Sequence, residues 1–200
     1  NNIIVNFFKG LLKSTTFYKN NYFDMKTESN EYEIFLKTKN NIKFTKEEIT
    51  NGNTLLKKLN INKPYICIFS RDSAYLKKTF PLTDWNYHDY RDADIDSYTL
   101  VTKYLIDKGY CVVRIGSIVE KPFSFTHEHC IDYPYTKYTS DFMDIFLISQ
   151  SVAVIGSNSG ATDLANAFGI TRIGINHIPI DYPPYSTKDD MFIPKKLKTH

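Results

Sequence analysis

The run VAVIGSNSGATDLANAFG, from Val152 to Gly169, decides the fold of this 200-residue chain. Residues 152–155 are apolar and predict a short strand that is buried in a sheet. Small residues follow at 156–160 and predict a tight turn that opens a helix. Gly169 is a typical residue for ending that helix. A strand, a turn of small residues and a helix in this order indicate one unit of an α/β sheet.

Similar units lie on both sides of this run. Apolar runs at 65–69, 110–115, 130–133 and 172–176 predict four further strands. Helical spacing of apolar residues predicts helices over 95–106 and from residue 140 or 141 onward. We therefore predict a Rossmann-like domain, in which one parallel five-stranded sheet carries helices on both faces. The Pro- and Tyr-rich remainder after residue 176 is expected to be loop.

The first part of the chain has weaker periodicity. Thr45 and Glu48 match a capping box, which predicts a helix that includes Leu55, Leu56 and Leu59, although Gly52 interrupts it. We expect residues 1–60 to be the end of an N-terminal region with a connector helix, and 61–200 to be the Rossmann-like domain. Since the chain does not begin with Met, it is expected to be a segment of a longer protein, and its start does not match a signal peptide.

The turn at 156–162 has the properties of a phosphate site. Short side chains let an anion approach the backbone, and the first N–H groups of a helix are unpaired and carry partial positive charge. The alternative is a purely structural turn in which Ser159 only caps the helix. The geometry of the pattern does not separate the two interpretations. The dinucleotide and P-loop glycine signatures are both absent.

Ligands of parallel sheets bind at the carboxyl ends of the strands. Arg71 and Arg114 follow two of the predicted strands, so either guanidinium could neutralise a phosphate, and the alternative is an ion pair with Asp72 or another carboxylate. We predict that both face the crevice containing Gly160. The predicted donor-binding residues are Ser70, Arg71, Arg114, Gly116, Ser117, Ser157, Asn158, Ser159, Gly160, Ala161, Thr162 and Asp163.

Several segments together resemble the carboxyl-terminal half of bacterial GT-B-type glycosyltransferases, and more distantly heptosyltransferases and O-fucosyltransferase-like enzymes. The resemblance covers about residues 64–194. It is carried by the segments SDFMDIFL at 140–147, VIGSNSG at 154–160, LANAFG at 164–169 and IGIN at 173–176, with RDADI at 91–95, KGY at 108–110 and RIGS at 114–117.

The resemblance implies a nucleotide-diphosphate sugar as donor, with its diphosphate at Ser159 and Gly160. It also implies a metal-independent reaction without a cofactor, and a glycan or lipid-linked molecule as acceptor. Heptosyltransferase-like enzymes carry a His where this chain has Asp163. The catalytic base normally comes from the amino-terminal domain, so no catalytic residue is assigned.

Other residues receive structural interpretations. Asp141 and Asp144 fall on the first turn of a helix, where the dipole favours acidic residues. Arg91 and the aspartates after it are expected to be helix caps and solvated charges. The pair His127 and His129 lacks the second cluster that a zinc site needs.

Composition excludes several other functions. The formal net charge of +3 is too small to indicate nucleic-acid binding. No apolar run approaches the roughly 20 residues of a transmembrane helix. Cys67, Cys111 and Cys130 are expected to be buried reduced thiols, which favours a cytoplasmic location, with peripheral contact to an inner membrane as an option.

Three functions remain open. The first is a glycosyltransferase that uses a nucleotide-diphosphate sugar. The second is an isomerase on the same scaffold, such as a nucleotide-sugar 2-epimerase, which would need an acid–base set beside the sugar. The third is a non-catalytic nucleotide-binding or interaction module. The preserved small-residue turn favours a nucleotide-sugar ligand, and the scarcity of predicted acid–base residues favours the transferase.

Overall fold

The computed structural model describes residues 15–16, 42–178 and 187–196. One sheet has the strand order β3-β2-β1-β4-β5-β6, and every neighbouring pair is parallel. The strands are β1 (Tyr65–Phe69), β2 (Cys111–Arg114), β3 (Cys130–Asp132), β4 (Ala153–Gly156), β5 (Thr171–His177) and β6 (Met191–Pro194). The predicted parallel α/β class is confirmed.

The described part has α-helices between β1 and β2, between β3 and β4 and between β4 and β5, but none between β2 and β3. Apolar spacing predicts these helices except the short one at Ala74–Thr79. The α-helices are α1 (Lys46–Lys58), α2 (Ala74–Thr79), α3 (Thr99–Asp107), α4 (Asp141–Ser149) and α5 (Gly160–Phe168). Short 3-10 helices are present at Asn86–Arg91, Ile95–Tyr98 and Tyr133–Tyr135. The helical spacing predicted from residue 95 onward is therefore realised as a 3-10 turn followed by α3. No helix among these is long and apolar enough to cross a bilayer.

The sheet is covered on both faces, which follows from the alternation of side chains along its central strand. Tyr65 and Cys67 of β1 pack in one apolar cluster, which includes residues of α4 and α5. Ile66 and Ile68 point the other way, into a second cluster with α3. Both clusters are buried, so the prediction of helices on both faces is confirmed.

The predicted strand count is wrong by one, because Met191–Pro194, in the segment expected to be loop, forms a sixth strand. Strand β6 pairs in parallel with β5, with Ile173 opposite Met191 and Gly174 opposite Phe192. Its side chains are largely exposed, since it is the last strand of the sheet. An exposed edge strand that ends in Pro194 lacks the buried apolar run by which the other strands are recognised.

Helix α1 begins with the predicted capping box. The Thr45 side chain accepts a hydrogen bond from the backbone N–H of Glu48, whose carboxylate accepts one from the backbone of Thr45. Gly52 lies inside this helix, where a side chain would place its Cβ 2.3 Å from the Phe146 ring. Close packing of α1 on α4 therefore explains the helix-interrupting glycine. The domain division predicted at residue 60 stays a prediction, because most of residues 1–41 lie outside the described part.

Candidate functional site

A cavity of about 570 Å³ opens at the carboxyl ends of the central strands. Strands β1 and β4 are neighbours in the sheet but not in the chain, and the chain leaves them in opposite directions across the sheet. This is the switch point at which ligands of open α/β sheets bind. The cavity wall is formed by the segments after β1 and β2, the start of α5, part of α4, and residues of the 75–91 region.

The structure brings part of the predicted donor set to this cavity. The lining members are Ser70, Arg71, Gly116, Ser117, Ser159, Gly160 and Ala161. The other predicted residues lie behind or beside the wall, and these are Arg114, Ser157, Asn158, Thr162 and Asp163. Seven residues of the predicted set can therefore touch a ligand in this cavity, and the other five do not line it.

The start of helix α5 agrees with both interpretations of the sequence, the phosphate site and the structural turn capped by Ser159. The Ser159 hydroxyl accepts a hydrogen bond from the backbone N–H of Thr162 at 3.4 Å, and the Thr162 hydroxyl accepts one from the backbone N–H of Ser159 at 3.1 Å. Ser159 is thus a helix cap. The N–H groups of Gly160 and Ala161 have no acceptor among the described residues. Of the four backbone N–H groups at 159–162, those of Ser159 and Thr162 are used by the helix cap, and the other two are open to a ligand.

The two glycines of this turn have different roles. A Cβ on Gly156 would lie 2.5 Å from the carbonyl oxygen of Phe69 on the neighbouring strand, so this glycine is needed for strand packing. A Cβ on Gly160 would meet no atom within 4 Å. The fold does not require a glycine at 160, and the space beside it belongs to the cavity.

Arg71 lines the cavity and connects three elements. Its backbone N–H donates to the Ser157 hydroxyl at 2.7 Å, which ties the end of β1 to the end of β4. Its guanidinium donates to the carbonyl of His88 and forms an ion pair with Asp92. Burial raises the pKa of Asp92, and the charge of Arg71 opposes that rise. Arg71 therefore lines the cavity, as predicted for a phosphate-binding residue. Its guanidinium is also paired with a carboxylate, as the alternative interpretation expects.

Arg114 does not face the Gly160 cavity, contrary to the prediction. It is 1% exposed, and its Nη1 donates to the Asp132 carboxylate at 3.1 Å and to the carbonyl of Lys121 at 2.7 Å. Asp132 is its direct neighbour in the β2–β3 register. Arg114 lines an adjacent cavity of about 400 Å³. The physical reason is that a buried arginine needs a carboxylate, and the next strand supplies one.

Arg172, which the sequence interpretation did not single out, holds the turn from behind. It is 1% exposed on β5, and it donates to the Asp163 carboxylate and to the Asn158 side-chain oxygen, each at 2.7 Å. Burial lowers the pKa of Arg172, and Asp163 opposes that effect. Thr162 is buried and donates to the carbonyl of Ser157 at 3.2 Å. These contacts fix the turn without pointing into the cavity.

Arg91 and His88 also line the cavity and were not predicted as site residues. Nη2 of Arg91 donates to the carbonyl of Asn158 at 3.1 Å, so it is not a freely solvated charge. Burial and the nearby charges of Arg71 and Arg91 lower the pKa of His88. The surroundings of His88 therefore favour the neutral form of its ring.

Asp144 brings a carboxyl group into the cavity. Burial raises its pKa, the nearby Tyr133 hydroxyl opposes that rise, and repulsion from Asp141 adds to it. The expectation that Asp144 only serves the helix dipole is therefore incomplete. Asp144 lines the same cavity as Gly160, and its Oδ1 is buried without a hydrogen-bond partner in the described part of the chain.

Other groups show no arrangement for chemistry within the described part. No set of three or more His, Cys, Asp or Glu side chains there is placed to hold a metal ion. Cys67 and Cys111 are buried free thiols, and burial raises the pKa of Cys67 to about 12. Cys130 is half-buried and free. His129 contacts Lys63 at 2.8 Å rather than a metal-ligand set.

Comparison with solved structures finds a similar fold in E. coli ADP-heptose LPS heptosyltransferase II. The TM-score is 0.54 at 17% sequence identity, and the match covers 76% of this chain and 44% of that one. The chain therefore spans less than half the length of this neighbour. At this identity the likeness shows the fold, which is a Rossmann-like α/β fold resembling that of a GT-B heptosyltransferase. Family models and curated proteins give no match.

Proposed function

We propose that the protein is a glycosyltransferase that takes a sugar from a nucleotide-diphosphate donor without a metal ion. The observation that carries the proposal is the start of α5. The free N–H groups of Gly160 and Ala161 open into a cavity that Arg71 also lines. The site lies at the switch point of a sheet whose fold resembles that of a glycosyltransferase.

The chemistry of donor cleavage matches this arrangement. When the sugar leaves, negative charge develops on the diphosphate, and fixed donors that face that charge lower the barrier. Helix N–H groups and guanidinium groups are such donors, and they supply what a divalent cation supplies in other transferases. Since the phosphate-binding groups are backbone atoms held by the capping box and by Arg172, they need little reorganisation during the reaction.

The size and lining of the cavity support a ligand larger than phosphate. About 570 Å³ lies within the range of small-molecule sites. Phe69, Ile115, Ile148 and Leu164 supply apolar surface, whereas the arginines and the helix start supply the polar contacts. A nucleotide sugar combines a charged diphosphate with less polar groups, so it matches both the polar and the apolar parts of the cavity. We expect a glycan or a lipid-linked molecule as the acceptor.

The experiment is a thermal-shift screen of the protein against UDP-, GDP-, ADP- and CMP-sugars, with EDTA present. A true donor at a hundredfold excess over its dissociation constant raises the free energy of unfolding by about 2.7 kcal/mol. For a domain of this size, that raises Tm by about 5–11 °C. One nucleotide class is expected to stand out in EDTA. If none shifts Tm, with or without Mg²⁺, the proposal is wrong and the interaction-module alternative gains support.

A nucleotide-sugar isomerase is a second candidate because Asp144 and His88 both line the cavity. A carboxyl group of raised pKa and a neutral imidazole are suitable for moving protons near neutral pH. Incubation of the identified donor in D₂O distinguishes the two functions. A transferase leaves the carbon-bound protons of the sugar in place, whereas an epimerase that acts by proton abstraction introduces deuterium.

A further inference from the structure

We infer that Arg91 is the cation that binds the diphosphate opposite the free N–H groups of Gly160 and Ala161. This inference rests on the proposed function and assigns a ligand contact to a residue that looked like a surface charge in the sequence. It is carried by the pairing of the nearby arginines, by the contact of Arg91 with the phosphate turn, and by the surroundings of its side chain.

Arg71 and Arg91 line the cavity, Arg114 and Arg172 lie near it, and the four arginines differ in their partners. Arg71 forms an ion pair with Asp92, Arg114 with Asp132, and Arg172 with Asp163. Arg91 has no carboxylate within ion-pair distance among the described residues. Since a paired guanidinium has most of its charge compensated locally, Arg91 supplies the uncompensated positive charge in the cavity wall.

The side chain of Arg91 is held beside the turn that precedes α5. Its Nη2 donates to the carbonyl of Asn158, which lies two residues before Gly160. Its Nε is buried and has no hydrogen-bond partner among the described residues. Within that part of the chain, Nη2 is the guanidinium nitrogen that forms a hydrogen bond. One edge of the guanidinium is thus fixed on the turn, and the planar group retains donors for a phosphate oxygen.

The charge environment supports the same geometry. Arg71, His88 and Arg91 all line the cavity, and the Arg71 guanidinium donates to the backbone carbonyl of His88. The positive charges of both arginines lower the pKa of His88. His88 and Arg91 both belong to the 3-10 helix Asn86–Arg91, and both line the cavity together with Gly160 of α5. A diphosphate beside Gly160 would therefore meet positive groups from two sides, the helix start and Arg91.

The test measures binding of pyrophosphate, and of the nucleoside diphosphate identified in the screen, by isothermal titration calorimetry. Arg91→Gln should weaken binding of both ligands about 10- to 100-fold, as expected for the loss of a charged hydrogen bond. Arg91→Lys should lose less affinity, because it keeps the charge but not the planar fork. Lys121→Gln is the matched control, since it removes the same charge from the adjacent cavity, where Lys121 is paired with Asp94 and Asp96.

The outcomes separate the two proposals. If the wild-type protein binds neither ligand, the proposed function is wrong, and the inference about Arg91 is wrong as well. If the wild type binds and Arg91→Gln binds within threefold of it, the function stands and the role of Arg91 is wrong. If Arg91→Gln does not fold, Arg91→Lys decides: weaker binding than Lys121→Gln supports the inference, and equal binding overturns it.

Discussion

The substitution Gly160→Val separates ligand binding from folding. A Cβ at this position meets nothing within 4 Å, so the side chain enters the cavity rather than the protein interior. Valine is no worse a helix former than glycine, so the free energy of unfolding should stay the same within about 0.5 kcal/mol. The added methyl groups would occupy the space in which a phosphate oxygen reaches the N–H groups of residues 160 and 161.

The expected loss of affinity follows from those two N–H groups. A hydrogen bond to a charged group contributes about 1.5–3 kcal/mol, so two such bonds amount to about 3–6 kcal/mol. This corresponds to a weakening of roughly 10²- to 10⁴-fold in the dissociation constant. Calorimetric titration with the nucleoside diphosphate measures the affinity, and thermal unfolding of the same samples measures the stability.

Ser159→Ala is the matched control and should show the opposite pattern. Loss of the helix cap costs about 1 kcal/mol, which lowers Tm by about 2–4 °C. Binding should change less than in Gly160→Val, because the backbone donors remain. The reasoning is refuted if Gly160→Val binds the nucleotide within threefold of the wild type, or if Ser159→Ala loses more affinity than Gly160→Val.

Two further predictions concern the support of the site. Gly52→Ala should destabilise the protein by about 1–3 kcal/mol through its clash with Phe146, and the cost should shrink in a Phe146→Leu background, as measured by urea unfolding of the double-mutant cycle. The pKa of Asp144 is higher in the folded state than in the unfolded state. The Asp144 carboxyl group therefore lowers the free energy of unfolding once the pH exceeds its pKa in the unfolded state. Asp144→Asn should therefore raise Tm at pH 7 but not near pH 3, and an unchanged difference between these pH values would contradict the assignment.

The sequence predicted the elements whose signals are local. Strand β4 and helix α5 were found because a buried apolar run, a cap at Ser159 and a glycine at 169 all lie within eighteen residues. Gly169 adopts the left-handed conformation expected of such a helix end. Strand β6 was missed because an edge strand is exposed and does not produce the same run.

The partners of the charged residues were not predictable in the same way. Arg91 meets Asn158 across 67 positions of the chain, and Arg114 meets Asp132 through the register of two strands. Such contacts form only in the assembled sheet, so the spacing of residues in the sequence does not predict them. Arg172 did give a signal, because a charged residue within a buried strand is uncommon and requires a partner.

The most direct test of the central claim is a crystal structure of the protein with a bound nucleoside diphosphate. We predict phosphate oxygens about 2.7–3.2 Å from the backbone nitrogens of Gly160 and Ala161, with no metal ion between them. A nucleotide bound at the amino ends of the strands would contradict the assignment. So would a diphosphate held in the adjacent cavity beside Arg114, with the start of α5 left untouched.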